Sequence, residues 1–225
     1  MWQGKMKAVT FSYDDGIRQD IRLIEILDRY GLRGTFNLNL GRQKDSDTFV
    51  KSGIVVRHLE AAELPAVYAH HEVAGHTDTH VHLENLEEDA IRREITRCQD
   101  GLAQLFGREI PGMAYPYGTY DNRVVRIAGE AGVRWARTCE QTEAFAVPAD
   151  LMRLPSTCRH ANPRLLELAR SFVEAKPQEP QLFYLWGHSY EFDERDNWAL
   201  IEECCRILAG HEDIFYGTNS EVLLG

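Results

Sequence analysis

Short apolar segments of strand length alternate with amphipathic helical segments along nearly all of this 225-residue chain, and that alternation constrains the fold more than any single motif. The run Ala8-Val9-Thr10-Phe11 reads as a buried strand, and Gly16 as the turn that ends it. Ile17, Ile21, Ile24 and Leu27 then recur at helical spacing, with Gly31 as the C-cap. Residues 34–38 form a second strand and the polar residues 41–53 a loop. Residues 54–56 read as a minor strand, 59–66 as a short helix, and 71–75 as a third core strand running into His76. A long helix carries Ile91, Ile95, Cys98, Leu102 and Leu105 on its buried stripe and stops at Gly107.

The pattern continues with strands at 113–117, 134–139, 151–156, 181–187 and 214–217. Between them lie helices at 122–131, from the Asn162-Pro163 cap onward, and along Trp198, Ile201, Cys205 and Leu208. Such alternation demands a parallel sheet with helices outside it. Seven or so units in this length fit a distorted (β/α)7 TIM-like barrel, one α/β domain over residues 1–225.

Charge excludes some partners. The chain holds 25 Lys and Arg against 35 Asp and Glu, a net charge of −10, with no basic run. Nucleic acid and anionic membrane both draw on clustered cations, so neither is expected as a partner. No stretch approaches the roughly 20 apolar residues that span a bilayer. The first seven residues carry no apolar signal region, and the odd number of cysteines lacks zinc-knuckle spacing. A reduced, cytoplasmic setting is the expectation.

The chemistry-bearing residues collect at strand ends. Asp14-Asp15-Gly16 places two adjacent carboxylates where the first strand becomes a turn. Like charges so placed are stabilised by a cation beside them, and a metal ion is one that divides their roles. His76-Thr77-Asp78-Thr79-His80 carries two histidines at i and i+4. In a helical turn that spacing sets both imidazoles on one face, about 6 Å apart at Cβ, a fit for one metal ion. Ala114-Tyr115-Pro116-Tyr117-Gly118 ends another strand in a turn whose backbone N–H groups are free for a ligand, and Leu185-Trp186-Gly187-His188 ends a fourth in a histidine. All four fall at the same end of parallel strands, the face where barrel enzymes collect their active sites.

On these residues the chain resembles the polysaccharide deacetylases, also called the NodB-homology family. Thr10-Phe11-Ser12-Tyr13-Asp14-Asp15-Gly16 is similar to the family's Thr-Phe-Asp-Asp-Gly, with two residues inserted before the paired Asp. His76-Thr77-Asp78-Thr79-His80 matches its His-(Ser/Thr)-x-x-His, and Leu185-Trp186-Gly187-His188 its Leu-x-x-His. Ala114-Tyr115-Pro116-Tyr117 matches its Arg-x-Pro-Tyr in part. The resemblance implies a distorted (β/α)7 barrel and metal-dependent hydrolysis of acetyl groups on a carbohydrate, with a metal-bound water as nucleophile. It makes Asp14 the general base, Asp15, His76 and His80 the metal ligands, and His188 the general acid. The backbone N–H of Tyr117 becomes an oxyanion donor. Zinc is the first choice of divalent metal, with cobalt, manganese or nickel compatible with the same ligands.

Two departures stand out. Where the family motif carries the arginine that orients the base, this chain has Ala114, and the family's Asp-x-x-x-Trp tether for the acid has no counterpart. Arg137, at the end of its own strand, is the candidate to supply the missing guanidinium to Asp14. Arg137, Tyr115 and Trp186 are also the candidates for substrate contact, with Tyr117 and Tyr190 as further aromatic faces, and the acidic stretch after His188 lines the cleft. No carbohydrate-binding appendage is visible, and the last strand ends close to Gly225, which favours a small soluble substrate. Two other readings keep the fold: the same metal site opening a cyclic amide, and a non-catalytic sugar-binding relative.

Overall fold

The computed structural model describes residues 2–225. Its main sheet is parallel throughout and is built on β1 (Lys7–Asp14), flanked along its whole length by β10 (Gln181–Gly187). On the other side β1 pairs with β2 (Gly34–Leu38) only from Phe11 onward. The lower gap, opposite Lys7 to Val9, is filled by β11 (Ile214–Tyr216). From β2 the sheet continues through β5 (Glu72–Gly75), β6 (Gly112–Ala114), β7 (Trp135–Gln141) and β8 (Leu154–Ser156). Its far edge is β9 (Cys158–Arg159), beside β10.

The two edges β8 and β9 are separated in sequence by Thr157 alone. Thr157 N donates to Tyr184 O at 2.9 Å and its Oγ1 to Leu182 O at 3.2 Å, so the sheet curls until its ends meet. Counting β8 and β9 as one broken stave gives seven around the axis. The expected distorted (β/α)7 barrel is the fold.

Helices α1 (Gln19–Arg29), α3 (Glu88–Phe106), α4 (Asn122–Glu130), α5 (Leu165–Glu174) and α7 (Trp198–Leu208) cover the outside. Period-2 alternation in the strands divides the two faces. Val9, Phe11 and Tyr13 of β1 join Phe36, Val73, Phe183 and Leu185 in the apolar layer beneath the helices. Each such side chain, fully buried, contributes about 1.5–3 kcal/mol. Thr10, Ser12 and Asp14 alternate onto the opposite face, toward the barrel axis. There Asn219 accepts from Thr10 Oγ1 at 2.8 Å and donates to Tyr184 OH at 2.8 Å and Ser12 Oγ at 3.3 Å. The inside of the barrel is therefore hydrogen-bonded where the outside is oily.

Several boundaries differ from the sequence reading. Ile17, Ile24 and Leu27 are buried as expected, but Ile21 is 38% exposed, and Leu23 and Ile26 complete the buried face of α1. Residues 41–53 are not all loop: β3 (Thr48–Lys51) and β4 (Ile54–Arg57) form an antiparallel hairpin outside the barrel sheet. The short helix α2 begins at Leu64 rather than 59, with Pro65 in its first turn. β6 stops at Ala114 because Pro116 opens a 3-10 turn. Asn162 accepts from Arg164 N at 2.8 Å and makes a turn, so α5 starts at Leu165. Unanticipated elements are β9, α6 (Tyr190–Glu194) and α8 (Asn219–Leu224), the last closing the lower end of the barrel through Asn219. No helix of the described residues is long and apolar enough to cross a membrane.

Candidate active site

Asp14 is the last residue of β1 and 2% exposed, and both of its oxygens meet donors from other strands. Asn37, its register partner on β2, donates Nδ2 to Oδ1 at 2.7 Å. The fully buried Arg137 of β7 donates Nη2 to Oδ2. Arg137 is the register partner of Ala114, so a guanidinium stands one strand over at the height where the family motif carries its own. Burial alone pushes the Asp14 carboxyl up, but the charges of Arg137, His76 and His188 and the Arg137 hydrogen bond outweigh it and hold it down at about 2.

Asp15 leaves the strand in a left-handed conformation, φ 86°. The turn is fixed by Asp15 N donating to Asn37 O at 2.9 Å and by Gln43 Nε2 donating to Asp15 O at 2.8 Å. Gly16 follows at φ +66°, and a Cβ there would lie 2.7 Å from the Gln43 side chain, so glycine is required twice over.

His76 and His80 do come together, but not on a helical turn. Residues 76–80 form a loop in which Thr77 (φ 63°) and His80 (φ 57°) are left-handed. The loop holds itself: His80 N donates to Thr77 Oγ1 at 3.1 Å, and Thr79 N and Oγ1 donate to the Glu94 carboxylate at 2.9 and 2.8 Å. With Tyr117 (φ 60°), the site accounts for four of the nine positive-φ residues other than glycine among those described. Such strain, about 1–2 kcal/mol each, persists where surrounding contacts fix it and concentrates at functional sites.

The ligand atoms of Asp15, His76 and His80 lie within 4.8 Å of one another. Asp15 Oδ1 is 3.9 Å from His76 Nε2 and 3.7 Å from His80 Nε2. His76 Nδ1 is 2.8 Å from Ala114 O, which makes that nitrogen the N–H and leaves Nε2 as a lone pair facing the cluster. Burial and the neighbouring His76 pull the His80 imidazole down to about 4, so that ring is a neutral ligand at pH 7. One carboxylate and two imidazoles make the donor set of a divalent-metal site, and these residues fit one.

His188, just past β10, turns Nε2 toward both carboxylates, 3.9 Å from Asp14 Oδ2 and 3.9 Å from Asp15 Oδ2. Its Nδ1 lies 3.1 Å from Glu191 Oε1 on α6. Glu191 is 3% exposed and also takes His160 Nε2 on Oε2 at 2.9 Å and Arg159 Nη2 on Oε1. Burial lowers the His188 pKa, but the Glu191 hydrogen bond and the nearby Asp15 and Asp14 charges carry it above the ordinary histidine value. Glu191 itself is held well below the usual carboxylate range by its two histidines, against the pull of burial. Space is tight here: a Cβ on Gly187 would come within 2.1 Å of His160 Nδ1. Sequence reading missed the Glu191–His160 support. The His188-x-x-Glu191 spacing was the available signal for half of it, whereas His160 is brought in only by the curl of the sheet.

These groups open into one cavity of about 400 Å³ at the C-terminal ends of the strands. Tyr117, Trp186 and Tyr190 line it. Tyr117 stands at the rim, 54% exposed, stacked on His82 at 3.8 Å between centroids. Tyr115 lines the cavity but is 1% exposed, stacks on Tyr120 and donates its hydroxyl to Met152 O at 2.9 Å. Trp186 packs under the Arg137 and Arg159 guanidinium groups at 4.4 and 5.2 Å. Arg137 is not among the lining residues and meets Asp14 instead. Phe49 and Lys51 of the hairpin complete one wall.

Among solved structures, the family 4 carbohydrate esterase from Streptomyces lividans in complex with acetate aligns at 19% identity and a TM-score of 0.57, covering 95% of this chain and 92% of that one. The Streptococcus pyogenes deacetylase PplD in complex with acetate aligns at 19% identity and a TM-score of 0.56 over 64% of this chain, which spans 61% of that protein's length. Puue allantoinase reaches a TM-score of 0.72 at 11% identity, covering 99% of this chain and 91% of that one. At such identities these likenesses are likenesses of fold. No curated protein matches the chain. The polysaccharide deacetylase family model matches residues 3–136, more than half of the chain and the part that holds Asp14, Asp15, His76 and His80. This chain belongs to the polysaccharide deacetylase family.

Proposed function

We propose that residues 1–225 act as one metal-dependent hydrolase domain that removes N- or O-linked acetyl groups from a carbohydrate. One observation carries this reading. Asp15, His76 and His80, close enough together to hold one metal ion, stand within 4.0 Å of the Asp14 carboxylate and the His188 imidazole, which are tied to Arg137 and Glu191. Asp15, His76 and His80 would hold a divalent metal, zinc first, which would supply polarisation of a carbonyl and a lowered pKa for a bound water, toward ~7.

The chain's own groups then divide the proton work. Asp14, ionised across the physiological range, accepts a proton from the attacking water. The Tyr117 N–H donates to the acetyl oxygen as it gains charge; one such donor is worth roughly 3–4 kcal/mol. His188 Nε2–H protonates the departing amine or alkoxide as the acyl bond breaks, releasing acetate. Glu191 fixes the His188 ring with Nδ1–H toward itself, which aims Nε2 at the reaction.

The β3–β4 hairpin supports a small substrate. It reaches across to α6, with Phe49 edge-on to Tyr190 at 5.9 Å and Lys51 Nζ 6.0 Å from the centre of the same ring. One side of the cleft is thereby walled, and the remaining volume suits a monosaccharide or the end of a short oligomer. The five unpaired cysteines fit a reducing compartment, the cytoplasm in our reading. A second reading, a non-sugar cyclic amide, draws on the close fold likeness to an allantoinase.

The test is acetate release from N- and O-acetylated sugars by metal-reconstituted protein, with hydantoin-like amides alongside. Asp14→Asn is expected to lower kcat about 10²–10⁴-fold. Turnover of the amides alone selects the second reading, and inertness toward both sets selects a non-catalytic relative.

A further inference from the structure

We infer that Asn37 is a positioning residue that keeps Asp14 out of the metal's ligand set, leaving Asp15 as the sole carboxylate ligand. This rests on the metallohydrolase reading of the site. Proximity to His76 alone does not separate the two carboxylates. Asp14 Oδ2 is 4.0 Å from His76 Nε2, and Asp15 Oδ1 is 3.9 Å from the same atom. An ion on His76 has both anions within reach, although Asp15 alone also approaches His80, at 3.7 Å.

What differs is how many donors each oxygen already has. Asp14 is clamped at two points, Arg137 on Oδ2 and Asn37 on Oδ1. One donor per oxygen fixes the plane of the carboxylate, so Oδ2 cannot leave Arg137 by rotation about the Cβ–Cγ bond. Asp15 has no such clamp: its carboxylate accepts no hydrogen bond among the described residues except what His76, His80 and His188 bring within 4 Å.

Asn37 is itself enclosed. It is fully buried, sits in parallel register beside Asp14, and directs Nδ2 at three oxygens: Ser12 Oγ at 2.9 Å, Tyr13 O at 3.3 Å and Asp14 Oδ1. Two of those oxygens can only accept, which fixes the amide with nitrogen inward. The opposite amide oxygen has no partner among the described residues, so the side chain is spent on donating rather than on being satisfied. Remove that donor and Asp14 Oδ1 is a buried anionic oxygen without a hydrogen bond, beside a divalent cation. Swinging onto the ion is then its way to be satisfied.

The experiment compares wild type, Asn37→Leu, Asp14→Asn and the double variant as full-length protein loaded with Co²⁺, reading the visible spectrum and the metal dissociation constant. For Asn37→Leu the Co²⁺ spectrum is expected to change and the metal to bind as tightly as in wild type or more tightly. Activity should fall about 10–100-fold, the usual effect of losing an outer-shell partner. In the Asp14→Asn background the Asn37→Leu change should leave both metal readouts unmoved. An Asn37→Leu protein that folds and shows the wild-type spectrum overturns the inference, as does one whose metal is merely bound more weakly. Should Asn37→Leu not fold, Asp14→Asn alone decides: wild-type metal affinity supports the inference, and a loss of about tenfold or more shows Asp14 to be a ligand and overturns it. The metal readouts need no substrate. A shifted spectrum in a protein inert toward acetylated sugars upholds the role of Asn37 and removes only the proposed substrate, whereas a wild type that binds no Co²⁺ overturns both.

Discussion

Asp14 and His188 come within 3.9 Å of each other, yet the chain secures them by opposite means. The carboxylate is held from inside the barrel, by Asn37 of the neighbouring strand and by Arg137, 123 residues further along the chain. Those partners are strand residues in register, so their positions are set by the backbone ladder. The imidazole is held from a loop and a five-residue helix, by Glu191 three residues on and His160 behind it. One support supplies positive charge to the proposed base, the other negative charge to the proposed acid. Each pushes its group toward the protonation state that the proposed role needs at neutral pH, and each is open to attack by one substitution.

Arg137→Met strikes the base side and is expected to have the larger effect. It leaves Asp14 charged, buried and unpaired, which costs about 3–5 kcal/mol of stability when one partner of a buried ion pair is removed. With the guanidinium gone, burial dominates and the Asp14 pKa rises from about 2. The base is then ionised only at higher pH, so the acid limb of the kcat/KM profile moves up. Urea unfolding and a pH–rate profile check both parts. A limb that stays in place removes Arg137 from the support of Asp14.

The two supports also differed in how far the sequence revealed them. Strand–helix alternation exposed the barrel, because strands buried on both faces read as apolar runs and Gly31 and Gly107 mark helix ends. The strand-end motifs exposed the two carboxylates and three of the histidines, because each motif is contiguous. Asn37, Arg137 and His160 act through register and closure, which no local pattern encodes; Arg137 was singled out only because Ala114 left a charge unaccounted for. Two misses were legible. Thr218-x-x-Glu221 is a capping box that announces α8, and His188-x-x-Glu191 is a turn-spaced ion pair. The expectation of a helical turn at His76–His80 failed because i, i+4 spacing says nothing of the left-handed residues that bend this loop.

Glu191→Gln attacks the acid side and keeps the volume; it weakens the Arg159 and His160 contacts as well, but Arg159 is partly exposed, so the stability loss should be smaller than for Arg137→Met. An amide oxygen still accepts from His188 Nδ1, but the negative charge is lost. The His188 pKa, raised by that carboxylate against burial, falls. Because the acid works protonated, activity is lost at lower pH and the alkaline limb moves down, the mirror image of the Arg137 effect. Turnover at pH 8 should drop about 10–100-fold, as for other outer-shell partners, with a smaller drop at pH 6. An equal drop at both pH values would make Glu191 a packing residue rather than a charge partner.

The smallest expected effect separates these buried supports from the wall above them. Phe49 belongs to a hairpin outside the barrel sheet and meets the site through Tyr190, 5.9 Å away and edge-on. Phe49→Ala removes an aromatic contact worth about 0.5–1.5 kcal/mol and touches neither Asp14 nor His188. KM for an acetylated monosaccharide should therefore rise about 2–10-fold, the same free energy read as affinity, while kcat and both limbs of the pH profile stay where they are. If the hairpin excludes longer chains, the variant should also narrow the gap in kcat/KM between a monosaccharide and a tetrasaccharide. A fall in kcat at constant KM would mean that the hairpin orders the catalytic groups, and the division between a buried chemical floor and an exposed selective wall would have to be withdrawn.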